Sequence, residues 1–404
     1  MTKDQVTLKD VEAASKRLAG VVHKTPLESS HIFSEMAGYE VLLKLENMQR
    51  TGSFKVRGAS NCIQTLTKEQ QAHGVIAASA GNHAQGVALG AQAAGIKATI
   101  VMPEGAPLAK VEATKGYGAE VVLKGGVYDE ASAEAVRLQK ETGATLVHAF
   151  DDPAVIAGQG TIGLEILEQC PDIRSIVVPI GGGGLLAGIA TAVKSVAPHV
   201  KVYGVQASGA PAMYLSKHAG KWVETPEAQT IADGIAVKVP GDKTFEIIKN
   251  YVDEIITVSD SELVEAFLLL TEKHKLIAEA SGVASLAVLK KLDIQNKRIC
   301  SIISGGNIDM LTISSLINNG LVSGGRLFCF STEVRNAPGQ LLRLSETLAS
   351  ENANIVRLDH NQFKANNRIN NILVEVTVET NGHDHIERIF KSLNNNGYSI
   401  KVMY

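Results

Sequence analysis

The sequence predicts an α/β protein made of two parallel-sheet units followed by a small βαββαβ, ferredoxin-like domain. Three observations predict it. From about residue 70 to residue 304 short apolar runs alternate with helix-length segments, as strands joined by crossover helices do. Around Val322-Ser323-Gly324-Gly325 that pattern stops and a different order of elements begins. The chain of 404 residues also exceeds what one hydrophobic core holds, so two or three domains are expected.

In the first unit the runs 74–79, 97–102, 120–123 and 145–150 are expected strands, with helices at 83–94, 109–118 and 128–142. Gly95, Gly118 and Gly143 stand at the helix ends, where a left-handed residue commonly stops the turn. In the second unit strands are expected at 175–180, 201–207, 254–258 and 298–304, and helices at 154–169, 185–196, 260–276 and 283–292. The stretch 211–240 has weak periodicity and reads as an irregular connection. Val41-Leu42-Leu43-Lys44-Leu45 is a strand with no partner near it in sequence, and is expected to join the second sheet. The domains are therefore 1–51 with 154–322 (large), 52–153 (small) and 325–404. In the last, 327–333, 355–361, 372–380 and 398–404 are strands and 338–350 and 385–394 helices. The polar stretch 364–371 is its hairpin loop.

Composition narrows the function. A net charge of -3 and an aromatic content of 4% offer neither the basic footprint of a nucleic-acid or membrane binder nor stacking platforms for single strands. Residues 1–20 are charged and lack the apolar core of a signal peptide, and no run of twenty apolar residues occurs, so a cytoplasmic protein is expected. Cys62, Cys170, Cys300 and Cys329 lie far apart without metal-ligand spacing, which fits reduced thiols and no metal site.

Four places can carry chemistry. In Ser53-Phe54-Lys55-Val56-Arg57-Gly58, Ser53 can cap a helix running towards Leu66. On it Lys55 shares a face with Ala59, Cys62 and Leu66. Most lysines snorkel to solvent; one buried there would have a lowered pKa, which suits Schiff-base chemistry. Gly181-Gly182-Gly183-Gly184 joins a strand to the apolar helix that opens with Leu185. Its backbone N–H groups can converge on a phosphate. The same glycines fit a loose dinucleotide pattern, but the next strand ends at Gln206 rather than at an acid. No GK[ST] follows, which excludes a nucleotide P-loop. Ser79-Ala80-Gly81-Asn82-His83 is a third corner, able to grip a carboxylate through its amides or to serve only as a helix cap, with Asn82 as the capping residue. His83 has no evident carboxylate partner and reads as structural. Ser304-Gly305-Gly306-Asn307 closes the strand at 298–304, where open sheets place ligands. Together a lysine, a phosphate cradle and two polar corners make the set that a phosphorylated aldehyde cofactor needs.

On these motifs the chain, over about residues 5–320, resembles the threonine dehydratases (threonine ammonia-lyases) of the type II pyridoxal-phosphate fold, the tryptophan synthase β-like fold. The resemblance implies pyridoxal 5'-phosphate as cofactor, with Lys55 holding it and later taking the α-proton and Phe54 packed on its ring. It implies Asn82 at the ring hydroxyl, Gly181 to Leu185 at the phosphate, Ser304 at the pyridine nitrogen and Glu279 beside the ring. Ser79, Ala80, Gly81, Asn82 and His83 would hold the carboxylate of threonine or serine. The tail resembles an ACT regulatory domain, which implies an amino-acid effector such as isoleucine near Asn336, Pro338, Gly339 and Leu341, where Asn336 stands in place of the usual aspartate. A homotetramer and a part in isoleucine biosynthesis go with that resemblance. Serine racemases of the same fold carry a serine where this chain has Ala80, and acidic metal ligands where it has Gln206, Ala210 and Ala212. Two alternatives stay open: a serine dehydratase on the same scaffold, and an amino-acid sensor that has lost catalysis.

Overall fold

In a computed structural model, residues 6–292, 298–361 and 370–404 are described. The chain forms two compact units, Met1–Asp309 and Met310–Tyr404.

In the first unit the strands are β1 (Leu27–Ser30), β2 (Glu40–Leu45), β3 (Val75–Ala78), β4 (Ala98–Met102), β5 (Glu120–Leu123), β6 (Thr145–Leu146), β7 (Ser175–Pro179), β8 (Lys201–Ala207), β9 (Glu254–Val258) and β10 (Arg298–Ile303). They form two sheets, one in the order β5-β4-β3-β6 and one in the order β1-β2-β10-β7-β8-β9. Every pairing is parallel except that of β1 with β2. Strand β2 joins the larger sheet beside β10, as its sequence demands. Five of its six residues are buried, and a strand without a polar face needs cover on both sides.

Several elements differ from the sequence expectation. Strand β2, expected to have no partner near it in sequence, also pairs with β1, and the stretch 211–240, expected to be irregular, opens with the helix Ala212–Ala219. Strand β6 stops after two residues, because the chain at 147–150 turns away from the sheet towards the glycine run. The segment expected as one helix at 260–276 is α-helical over Asp260–Leu269 and then widens to a π turn, Leu270–His274, ended by Lys275 at φ +59°. The segment at 283–292 holds only the short helix Ala284–Ala287 and a 3₁₀ turn, Leu289–Lys291.

The helix Lys55–Gln64 packs between the helices Asn82–Ala94 and Pro153–Gln169. Val56 to Ile63 are all buried on it, so the face shared by Lys55, Ala59 and Cys62 is not a single apolar stripe. The helix can be buried all round because its buried charged and amide side chains are paired; Ser60 Oγ is the exception, buried without a partner among the described residues. Arg57 reaches Glu46 (Nε–Oε2 and Nη2–Oε1, both 2.8 Å) and Glu165 (Nη1–Oε1, 2.6 Å). Lys44 Nζ donates to Glu165 Oε2 at 2.6 Å, and Asn61 Nδ2 to the Ala154 carbonyl at 2.7 Å. Burial alone would raise the Glu46 pKa, but the Arg57 guanidinium overrides it and holds that carboxyl below its ordinary range.

In the second unit β11 (Leu327–Arg335), β12 (Asn354–Asn361), β13 (Asn371–Glu379) and β14 (Ile400–Val402) make an antiparallel sheet in the order β12-β13-β11-β14. The helices Gln340–Ser350 and His383–Asn395 complete the βαββαβ arrangement. Phe328, Phe330, Leu344, Leu348, Val376 and Ile389 lie in its core. The helix Met310–Ser323 groups with this unit. Of the hairpin loop expected at 364–371, residues 364–369 lie outside the described residues. No helix among the described residues is long and apolar enough to cross a membrane.

Candidate active site

Lys55 opens its helix at the point where the chain is stitched to the loop after β10. Phe54 N donates to the Ser304 carbonyl (3.1 Å), and Ser53 makes a β-bridge with Gly305. Ser53 is not the helix cap that the sequence suggested: Phe54 holds that position, and the helix start has no side-chain cap. Lys55 as a whole is half-buried, whereas its amine is enclosed. Nζ donates to the Ala149 carbonyl at 2.8 Å and sits 5.3 Å from the Phe54 ring centroid. Burial pulls its pKa down to about 8, with the charge of Glu279 acting in the opposite sense. Near that pH a large fraction of the amine is neutral, the form that attacks a carbonyl carbon.

At the corner after β3, Gly81 N donates to Ser79 Oγ (3.2 Å) and Asn82 begins the helix Asn82–Ala94. The Asn82 side chain does not cap that helix. Its Nδ2 donates to Glu279 Oε1 at 2.7 Å and its Oδ1 accepts from Asn307 Nδ2 at 2.7 Å. Burial pushes the Glu279 carboxyl up to about 7, and Asp233 adds to the rise. Glu279 N donates to the Gly305 carbonyl (3.1 Å), and Ser304 N to that of Gly282 (3.3 Å). His83 is buried with Nε2 2.8 Å from the Val147 carbonyl. Burial, then the nearby charge of Lys55, lowers its pKa to about 3, so the ring is neutral.

The glycine run lies between β7 and the helix Gly184–Val196. A methyl group on Gly182 would fall 2.4 Å from the Phe150 ring, and one on Gly183 (φ +99°) within 2.9 Å of Ile248, Met213 and Thr244. The chain therefore closes on this loop from two sides, and only glycine fits. Thr244 Oγ1 donates to the Gly182 carbonyl at 2.6 Å. The first N–H groups of a helix have no intrahelical acceptor and carry partial positive charge, which makes this end a seat for a phosphate.

The structure thus gathers Phe54, Asn82, Glu279 and Ser304 into one region tied by hydrogen bonds, with the amine of Lys55 beside the Phe54 ring and bonded to the Ala149 carbonyl. The glycine run joins it through Ala149 and Phe150. Thr244 and Asn307 belong to the same surroundings, yet sequence reading gave the first no role and the second only a place in a motif. Thr51 Oγ1, Ser53 Oγ and His83 Nδ1 are buried without a hydrogen-bond partner among the described residues, as groups beside a ligand would be. An enclosed amine of lowered pKa, an anion seat, an amide donor and a strand-end serine fit a pyridine aldehyde phosphate.

Asn336, Pro338, Gly339 and Leu341 lie in the second unit, after β11. Asn336 N donates to the Asn370 carbonyl (2.8 Å), Pro338 is exposed, and Gly339 at φ +84° precedes the helix Gln340–Ser350. The Leu341 side chain packs against the core of that unit.

Residues 18–305 match the family described as pyridoxal-phosphate dependent enzyme. The chain is 48% identical over 399 residues to the L-threonine ammonia-lyase of Thermotoga maritima, covering 98% of this chain and 100% of that protein. Among solved structures it is similar to the processed form of threonine deaminase isoform 2 from Solanum lycopersicum (TM-score 0.75, 37% identity, 79% of this chain and 91% of that one). It is also similar to maize serine racemase (TM-score 0.74, 38% identity, 79% and 98%).

Proposed function

Since the chain belongs to the pyridoxal-phosphate dependent enzymes and has their type II fold, we propose that it is a threonine ammonia-lyase. It converts L-threonine to 2-oxobutanoate and ammonia, and L-serine to pyruvate and ammonia. One observation carries the reading: the enclosed Lys55 amine, its pKa pulled down to about 8, beside a cluster of polar strand ends and a glycine-lined anion seat.

When bound, pyridoxal phosphate supplies an electron sink for the charge left at Cα. The protein does the rest. Lys55 anchors the cofactor, and its released amine takes the Cα proton; a base so positioned typically contributes ~10²–10⁴-fold. The Cβ–O bond then breaks, the hydroxyl leaving as water with the proton that the Lys55 amine has taken from Cα, after which the released amino-alkene hydrolyses to the ketoacid and ammonia. Gly181 to Leu185 hold the phosphate and Phe54 packs on the ring. Asn82 donates to the ring hydroxyl, Glu279 lies beside it, and Ser304 offers the ring nitrogen a neutral hydroxyl. The backbone of Ser79 to His83 orients the substrate carboxylate. Ala80 has no proton to deliver to the opposite face of Cα, which favours elimination over racemisation.

Residues 1–51 with 154–322 and residues 52–153 make the catalytic part, the helix Met310–Ser323 leading out of it, and 325–404 an ACT regulatory domain in a cytoplasmic homotetramer. The sheet order β12-β13-β11-β14 and the exposed turn at Asn336 to Gly339 support an effector site for an amino acid such as isoleucine. The test is ketoacid formation by the purified protein from threonine and from serine, with and without isoleucine. A yellow protein that forms no ketoacid from either would refute the lyase, and a colourless one the cofactor site.

A further inference from the structure

We infer that Asn307 is a positioning residue that sets which way round the Asn82 carboxamide stands. This rests on the proposed role of Asn82 as donor to the ring hydroxyl. The two ends of a carboxamide differ only in what they can bond, so its orientation follows from its partners. Here those partners leave no choice. Asn307 Nδ2 lies 2.6 Å from the Thr51 carbonyl, which can only accept. The atom facing it must be nitrogen.

The same nitrogen lies 2.7 Å from Asn82, so its second hydrogen requires an acceptor there, and Asn82 presents Oδ1. Asn82 Nδ2 is thereby turned to Glu279 Oε1, 2.7 Å away. One of its two hydrogens is used on that carboxylate and the other is left for an acceptor in the cleft. The donor sense thus passes from a backbone carbonyl through two side chains to the face where the cofactor binds. Gly52 makes room for the relay: at φ +70° it has no side chain, and a methyl there would fall 2.4 Å from Asn307 Oδ1.

Orientation and packing make opposite predictions for two variants. Asn307→Asp keeps the shape but sets an acceptor against both Thr51 O and Asn82 Oδ1. Asn307→Ala removes the bulk and leaves Glu279 alone to orient Asn82; with a pKa of about 7 that carboxyl accepts only in its ionised form, and when protonated it can face either end of the carboxamide. If Asn307 only fills space, the aspartate variant resembles wild type and alanine does the damage.

The experiment compares holoenzyme of wild type, N307D, N307A, N82A and N307A/N82A by visible absorption and circular dichroism of the bound cofactor without substrate, with kcat and KM alongside. Loss of one hydrogen bond to the ring predicts a five- to tenfold fall in kcat, roughly, with a changed visible band in N307D and N307A and a smaller change in KM. The double variant should match N82A alone, since the two residues act as one unit. Wild-type spectra in both Asn307 variants, or additive losses in the double variant, would overturn the inference. Should N307D fail to fold, N307A and the double variant still decide. A wild type without a visible band would count against the cofactor site itself, a separate outcome.

Discussion

Arg57 and Glu46 form a fully enclosed ion pair two residues along from the amine of Lys55, each of two guanidinium nitrogens 2.8 Å from a different carboxylate oxygen. Neutralising Glu46 leaves two enclosed cations, Arg57 and Lys44, to share the single charge of Glu165. Glu46→Gln should therefore destabilise the protein by about 3–5 kcal/mol, read from denaturant unfolding of the apo form. A loss below about 1 kcal/mol would show that the pair behaves as if solvated.

The same pair sets the response to acid. Glu46 has a folded pKa below its unfolded one, so its contribution is present above the unfolded value and is lost as pH falls through the folded one. The unfolding free energy of Glu46→Gln should then be less sensitive to pH than that of wild type below the ordinary carboxylate range. Parallel pH curves for the two would contradict this.

Lys55→Ala should remove both the visible cofactor band and threonine turnover while leaving the far-ultraviolet circular dichroism unchanged. Retained turnover would dispose of Lys55 as the base.

The lowered amine pKa makes a kinetic prediction for reconstitution. Only neutral Lys55 can attack the aldehyde, so the rate at which apo protein takes up pyridoxal phosphate should rise with pH through about 8 and then level off. A rise that continues to the ordinary lysine range would mean that burial does not depress this amine.

Deleting residues 325–404 should leave ketoacid formation in place and abolish any response to isoleucine. A truncated protein that still responds would move the effector site into the catalytic part.

Much of the architecture was legible in one dimension. Strands β5, β8 and β9 begin and end where their apolar runs do, and β2 is legible as part of the second sheet because the sequence beside it offers no evident partner. The expected Lys55, Asn82, Glu279 and Ser304 lie close together because two helix starts, the residue after β10 and the loop before Ala284–Ala287 meet there. What stayed hidden depends on partners distant in sequence. Arg57, Asn61 and Lys44 look like surface residues until Glu46, Glu165 and the Ala154 carbonyl are beside them. Ser53 had the right identity for a cap, but its backbone is committed to Gly305. The early end of β6 reflects the approach of Phe150 to Gly182, a contact that no local pattern announces.

That approach ties the lysine to the glycine run through one short stretch of chain. The carbonyl that accepts from the lysine nitrogen belongs to Ala149, and the ring of the next residue, Phe150, fills the space that a side chain on Gly182 would need. Two consecutive residues therefore restrain the amine and shape the loop meant for the anion, so a substitution at either would be felt at both.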